Sequence, residues 1–210
     1  MHPSWLSNTY LVADEEGGAA VFVDAGGPVE PLVRVARQWR VEPAFVLRTH
    51  SHADHVAEEG RLGLPVRTDA LELGGLVVDS IPTPGHSDDM VAFVVNDEAV
   101  FTGDTLFRDS VGGGDLEQVR RSVVDVLLGL PPGLRVLPGH ADETTLAREW
   151  AHNPFVRYWR GVETGSERCR VDGEQATLVV WSPDYDGKGK ALVRFADGRE
   201  AIVGGSRVQR

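Results

Sequence analysis

Near its start the chain has two short runs rich in apolar and β-branched residues, Asn8 to Val12 and Ala19 to Asp24. These read as a strand hairpin joined by the polar turn Asp14 to Gly18. The period then changes: Val29, Leu32, Val33, Ala36 and Trp39 recur at helical spacing, with Arg34, Arg37 and Arg40 off that stripe, so a helix over Val29 to Arg40 is expected to cover a sheet face. Phe45-Val46-Leu47 reads as a buried strand that ends where polar residues begin. Further strands are expected near Val77 to Ile81, Val91 to Val95 and Ala99 to Thr102, the last two joined by a turn at Asn96-Asp97. A second helix begins after Asp115, whose side chain can cap it with Gln118 at the third position. Leu116, Val119, Val123, Val126 and Leu127 form its stripe, and Pro131-Pro132-Gly133 stops it. Leu134 to Leu137 is then a strand, and Thr144 to about Ala151 a helix. From about Gly165 the runs Ala176 to Trp181, Lys190 to Phe195 and Glu200 to Val203 are short, β-type and separated by turn signals at Pro183 to Gly187 and Asp197-Gly198. They predict a compact antiparallel meander, with a small SH3-like barrel as one form of it. We therefore divide the chain into a larger unit, residues 1–164, and a small β-rich appendage, residues 165–210.

Composition narrows the classes. Of 210 residues 41% are hydrophobic, enough for a core. No apolar run approaches the roughly 20 residues that cross a bilayer. The start, MHPSWLSNTYLVADE, has neither a basic n-region nor an apolar core of the signal-peptide kind, so a cytoplasmic protein without membrane partners is expected. A net charge of −11 argues against nucleic acid as a partner, since phosphate binding needs clustered Lys and Arg. The single cysteine, Cys169, cannot form an internal disulfide and reads as a lone buried or half-buried thiol. Oligomeric state is left open.

The candidate chemistry is concentrated in four motifs. Five of the seven histidines stand in THSHADH (Thr49 to His55), TPGH (Thr83 to His86) and LPGH (Leu137 to His140), and FTGDT adds the carboxylate of Asp104. His50 and His52 lie two apart, project to one side of extended backbone and can grip one ion. Asp54 and His55 follow in a turn and can reach a neighbouring ion. Ile81 and Leu137 close apolar runs broken by Pro-Gly just before His86 and His140. Asp104, with two oxygens, can bridge two cations at the end of another such run. Imidazoles and carboxylates from four strand ends thus converge on one rim, a donor set for divalent ions that does not choose among zinc, iron and manganese.

HSHADH, PGH, GD and PGH in this order resemble the metallo-β-lactamase superfamily. GDTLF (Gly103 to Phe107), LPGH with Glu143-Thr144-Thr145, and HNPF (His152 to Phe155) are similar to its glyoxalase II-like hydrolases. The resemblance covers about three quarters of the chain. It implies an α/β fold of the αββα sandwich type, with the meander appended. It implies His50, His52 and His86 on a first metal, Asp54, His55 and His140 on a second, Asp104 bridging them, and two divalent ions, zinc foremost, as cofactors. It further implies that Asp24 supports the site by orienting a histidine, a role balanced here against plain turn capping.

The chemistry expected is hydrolysis of a small acyl substrate, foremost a thioester of a low-molecular-weight thiol as in hydroxyacylglutathione hydrolases, by a hydroxide shared between the ions. Asp54 and Asp104 would be the catalytic carboxylates, Asp54 also as proton acceptor. Two alternatives stand beside it: an oxygenase like the mono-iron persulfide dioxygenases, with His50, His86 and Asp104 as a facial triad, and a non-catalytic metal-loaded binding protein. The chain departs from these relatives in a short stretch between Gly60 and Val77, which leaves the site more open there, and in DSVGGGD (Asp109 to Asp115) after the bridging carboxylate. His2 and His152 are not needed as ligands. Trp181 and Phe195 read as core of the small sheet, with an aromatic face of Trp181 and Tyr185 as the alternative. With every candidate ligand between His50 and His140, a chain stopped near Glu163 is expected to keep its metals.

Overall fold

A computed structural model describes residues 5–162 and 165–210, so His2 and Glu163 lie outside the described residues. Two sheets face each other. The first contains β1 (Tyr10–Ala13), β2 (Ala19–Val23), β3 (Glu42–Leu47) and β4 (Val66–Arg67) in that order. β1 is antiparallel to β2, while β3 runs parallel to both β2 and β4. The second comprises β5 (Leu71–Leu73), β6 (Leu76–Pro82), β7 (Val91–Val95), β8 (Ala99–Gly103), β11 (Arg135–Pro138) and β12 (Thr144–Thr145), in the order β12-β11-β8-β7-β6-β5. A short ribbon, β9 (Leu106–Phe107) with β10 (Ser110–Val111), follows β8. Val21, Val23 and Leu47 of the first sheet pack on Val78, Phe93, Val95 and Phe101 of the second, which makes the inner core. Phe93 is wholly buried, and emptying such a site costs about 3–5 kcal/mol.

Helices cover both outer faces. α1 (Glu30–Trp39) lays Leu32, Val33 and Ala36 on the first sheet and ends at Arg40 with a left-handed φ of 58°. Trp39, placed on its apolar stripe by periodicity, is 45% exposed instead. Two one-turn helices, α2 (Ala53–Val56) and α3 (Glu59–Leu62), fill the loop after β3. On the far side α4 (Leu116–Arg121) is capped by the Asp115 side chain accepting from Gln118 N at 2.9 Å. It continues as a π turn through Ser122–Val126 rather than as one regular helix. The last expected helix divides: Thr144–Thr145 pair as β12 with β11, and α5 (Leu146–His152) and α6 (Pro154–Trp159) are separated by Asn153, whose side-chain Oδ1 accepts from Phe155 N and Val156 N to cap α6. The whole is the αββα sandwich.

The C-terminal sheet contains β13 (Glu167–Val171), β14 (Glu174–Ser182), β15 (Lys190–Phe195), β16 (Glu200–Gly204) and β17 (Val208–Gln209), all antiparallel, in the order β16-β15-β14-β13-β17. β13, around Cys169, and β17 carried too little periodicity to be seen beforehand. Cys169 is a buried free thiol, and Phe195 is core while Trp181 is 39% exposed. Val179, Val180, Leu192 and Ile202 join a single apolar cluster with Val94, Val119 and Phe155 of the sandwich. The tail is thus an appendage in topology and continuous with the larger unit in packing; the boundary near residue 164 stays our proposal for the organisation.

Candidate metal centre

Five strand ends of the two sheets point to one rim. β3 runs into Thr49 and His50, β6 into Thr83 to His86, β8 into Asp104, β11 into His140, and β2 into Asp24, which adopts a φ of 53°. The glycines beside the ligands permit the close approach: a Cβ on Gly139 would collide with the Asp104 carboxylate and the His55 ring, and Gly103 stands at φ 47°. His50, His55, His140 and Asp104 are buried, His86 is half-buried and His52 is exposed.

The hydrogen bonds of the histidines settle where their protons sit. Asp24 Oδ2 accepts from the Thr49 hydroxyl at 2.8 Å, so that hydroxyl oxygen is left to accept from His50 Nδ1 at 3.1 Å. The carbonyl oxygens of Gly113 and Leu6 can only accept, so His86 Nδ1 (2.9 Å) and His140 Nδ1 (3.1 Å) donate to them. His55 Nδ1 lies 2.8 Å from Asp24 Oδ2, and Asp24 Oδ1 also accepts from Thr49 N at 2.8 Å. Asp24 therefore holds the first ligand loop and orients His55, more than a turn cap does. With their Nδ1 atoms engaged, these rings present Nε2 to a common space. There His50 Nε2, His55 Nε2, His140 Nε2 and Asp104 Oδ1 are buried without a hydrogen-bond partner.

Four orphaned polar atoms in one spot would cost about 1–3 kcal/mol each if nothing bound them. Their spacing says what does. His140 Nε2 lies 3.3 Å from Asp54 Oδ2 and 3.4 Å from Asp104 Oδ2; His55 Nε2 lies 3.3 Å from Asp104 Oδ1 and 3.7 Å from Asp54 Oδ2; His86 Nε2 lies 3.5 Å from Asp104 Oδ2. Donors at about 2.0–2.2 Å from a tetrahedral ion sit about 3.4 Å from one another. Three groups of ligand atoms each lie within 4.8 Å of one another: His50 with His52 and His86; Asp54 with His55 and His140; and His50 with His55 and Asp104. All seven residues expected from the sequence are therefore brought together, and Asp104 stands between the other two groups. The donor set fits divalent cations.

The electrostatics sort the same residues. Burial depresses His50, helped by neighbouring His55, to about 3, and burial likewise lowers His86. Burial also acts against the charged form of His55 and His140. Asp104 and Asp24 nevertheless raise His55 to about 11, and Asp104 and Asp54 raise His140 to about 9. His140 lowers Asp54; for Asp104 burial opposes ionisation, yet His140 and His55 hold it well below the ordinary range. The carboxylates stay ionised, and the charge they demand is supplied by protons or by metal.

Two contributors escaped the sequence reading, and a third, Tyr185, entered it only as part of an alternative aromatic face. The N-terminal segment braces the His140 loop, with Leu6 O on the imidazole and Asn8 N donating to Gly139 O at 2.7 Å. Buried Glu149 accepts from Thr144 Oγ1, Asp109 N and Asn153 Nδ2, which ties down the loop after β9; the Glu143-Thr144-Thr145 and HNPF motifs flank it in sequence, the one signal available. Tyr185 stacks flat on the His140 ring. His152 is exposed at the end of α5 and not among the grouped ligands.

No family model matches the chain. It is 33% identical over 206 residues to an uncharacterised protein of Mycobacterium tuberculosis, covering 71% of this chain and 92% of that one. It is 26% identical to the hydroxyacylglutathione hydrolase GloC of Haemophilus influenzae, over 73% of this chain and 94% of that one. Among solved structures it is similar to ETHE1 from Myxococcus xanthus (31% identity, TM-score 0.62, 74% and 82% of the two chains). It is equally similar to TTHA1623 in a di-iron-bound form (32%, 0.62, 74% and 98%) and to the BLEG-1 B3 metallo-β-lactamase (25%, 0.67, 74% and 96%). With the αββα sandwich, the ligand motifs at its strand ends and these relatives, the chain belongs to the metallo-β-lactamase superfamily, as a metallo-hydrolase by fold and family.

Proposed function

We propose that this protein is a metal-dependent hydrolase of small acyl substrates, foremost thioesters of a low-molecular-weight thiol. The observation that carries the reading is the set of partnerless Nε2 atoms on His50, His55 and His140 with Asp104 Oδ1, at ligand-to-ligand spacing. His50, His52 and His86 would hold one ion, Asp54, His55 and His140 the other, and Asp104 both. Bound there, a pair of divalent cations supplies Lewis-acid polarisation of an acyl carbonyl and lowers the pKa of water toward neutrality. The chain's own residues do the rest. Asp24 and Thr49 hold His55 and His50 in the tautomers that expose Nε2. Asp54, 27% exposed and kept ionised by His140, is the carboxylate open to accept a proton from the attacking water. The exposed edge at His52 is the side from which substrate enters, next to the short segment between α3 and β6.

Likeness to GloC supports the thioester class, and the di-iron-bound neighbour leaves the metal open among iron, zinc and manganese. A one-iron oxygenase built on His50, His86 and Asp104 leaves buried His55 and His140 without a task, and we rank it second. Cytoplasmic placement and a small-molecule partner are parts of the same proposal; among the described residues no helix is long and apolar enough to cross a membrane. Metal analysis of the purified chain together with thiol release from phenyl thioacetate tests it. About two ions per chain and turnover are expected. A fully loaded protein that releases no thiol from this or other small thioesters overturns it, and one iron with thiol-dependent oxygen uptake selects the second reading.

A further inference from the structure

The tail reaches the rim of the site at two adjoining points. The ring of Tyr185, in the turn between β14 and β15, lies over the His140 imidazole with centroids 3.8 Å apart and planes 8° from parallel, and meets Phe107 edge-on at 5.9 Å. Beside it, with its ammonium 5.9 Å from the Tyr185 ring centroid, Lys190 at the start of β15 is 9% exposed, paired with Asp184 at 3.2 Å, and donates to Val111 O at 3.0 Å. Val111 O belongs to the loop whose Gly113 carbonyl orients His86. Ser182 Oγ donates to Asp109 O in the same loop. A lysine buried this deeply is held by a carboxylate and a carbonyl together, so the hairpin is a fixed wall. Between it and the ligand loops a cleft of about 140 Å³ is lined by Phe107, Arg108, Ala141, Asp142, Pro183 and Tyr185, room for a fragment such as a short acyl chain. A phenol is protonated at neutral pH, so Tyr185 brings a hydrogen-bond donor to the lining of this cleft.

We propose that Tyr185 is a substrate-positioning residue delivered by the C-terminal sheet: its face clamps His140 and its hydroxyl donates a hydrogen bond to the bound acyl substrate. The tail thereby sets what the site accepts. This rests on the hydrolase reading above. The test uses the full-length, metal-loaded protein and two variants, Tyr185→Phe, which keeps the ring, and Tyr185→Ala, which removes it. For phenyl thioacetate, Tyr185→Phe should raise KM about tenfold, the weight of one hydrogen bond, with kcat within about twofold and metal release to a chelator as slow as in the parent. Tyr185→Ala should show the same rise in KM and, in addition, release metal about tenfold faster, because His140 loses its clamp. A Tyr185→Phe variant equal to the parent in KM, or variants that lose kcat and metal in parallel, overturns the assignment. Should the parent prove inactive on thioesters, the hydrolase reading fails separately. Release rates then decide for Tyr185: faster from Tyr185→Ala than from Tyr185→Phe upholds it, equal rates overturn it.

Discussion

The two halves of the ligand cluster are built differently. Around Asp54, His55 and His140 the donor atoms are held apart at 3.3–3.7 Å, two rings are fully buried, and each is braced through Nδ1. Around His50, His52 and His86 one ring is exposed, and His52 Nδ1 sits 2.9 Å from His86 Nε2, which is a hydrogen bond. The first arrangement is preorganised for an ion. The second must give up an internal bond to take one. Preorganisation lowers the cost of binding, so the Asp54–His55–His140 half should fill first and empty last.

The largest expected effect is that of Asp104→Ala, which removes the carboxylate lying between both halves. Both ions and all hydrolysis should be lost, and two retained ions on the purified variant would remove its bridging role. His140→Ala should be nearly as severe for turnover yet more selective for metal, depleting one ion of two; loss of both would show that the halves do not load separately. Asp24→Asn leaves every ligand in place but sets an amide nitrogen or a neutral oxygen against His55 Nδ1 and the Thr49 donors. Metal affinity of that half should fall about 10–100-fold by competition with a chelator, with the fold retained by circular dichroism.

The smallest effect is a proton count. In the metal-free chain the neighbouring carboxylates push His55 up to about 11 and His140 up to about 9, above pH 7, so both carry a second proton there; loading must expel it, and affinity is expected to rise with pH until those values are passed. His50, depressed to about 3, has none to give. Calorimetry in buffers of different ionisation enthalpy should find close to two protons released for the braced half and fewer for the other, to which His50 contributes none. Equal release from both would erase the electrostatic difference between them.

Much of this was legible in the linear chain. HSHADH, PGH, GD and PGH state their donors outright, because metal ligands are few residue types at fixed short spacings; the strands that deliver them are apolar runs ended by Gly or Pro. The capping of α4 by Asp115 and the turn at Asn96-Asp97, where the two turn residues adopt positive φ, are local chemistry and were equally readable. Less legible were the π turn after α4, where packing bends a regular stripe, and the diversion of Thr144–Thr145 into a strand edge, where pairing with β11 overrides helical spacing.

By itself, then, the sequence determined the donors and the main strands and helices that carry them, since each depends on residue type and periodicity within a few positions, while the αββα class followed from the resemblance of the ligand motifs to a known family. Only the tertiary structure decided which histidines are braced, which are left in contact with each other, and that Tyr185 and Lys190 from the last strands reach the same rim. Those are contacts between residues tens of positions apart, such as Lys190 with Val111 and His140 with Leu6. Nothing in local spacing encodes them, because they arise when separate apolar faces, those of the sandwich and of the C-terminal sheet, are buried against each other in one core.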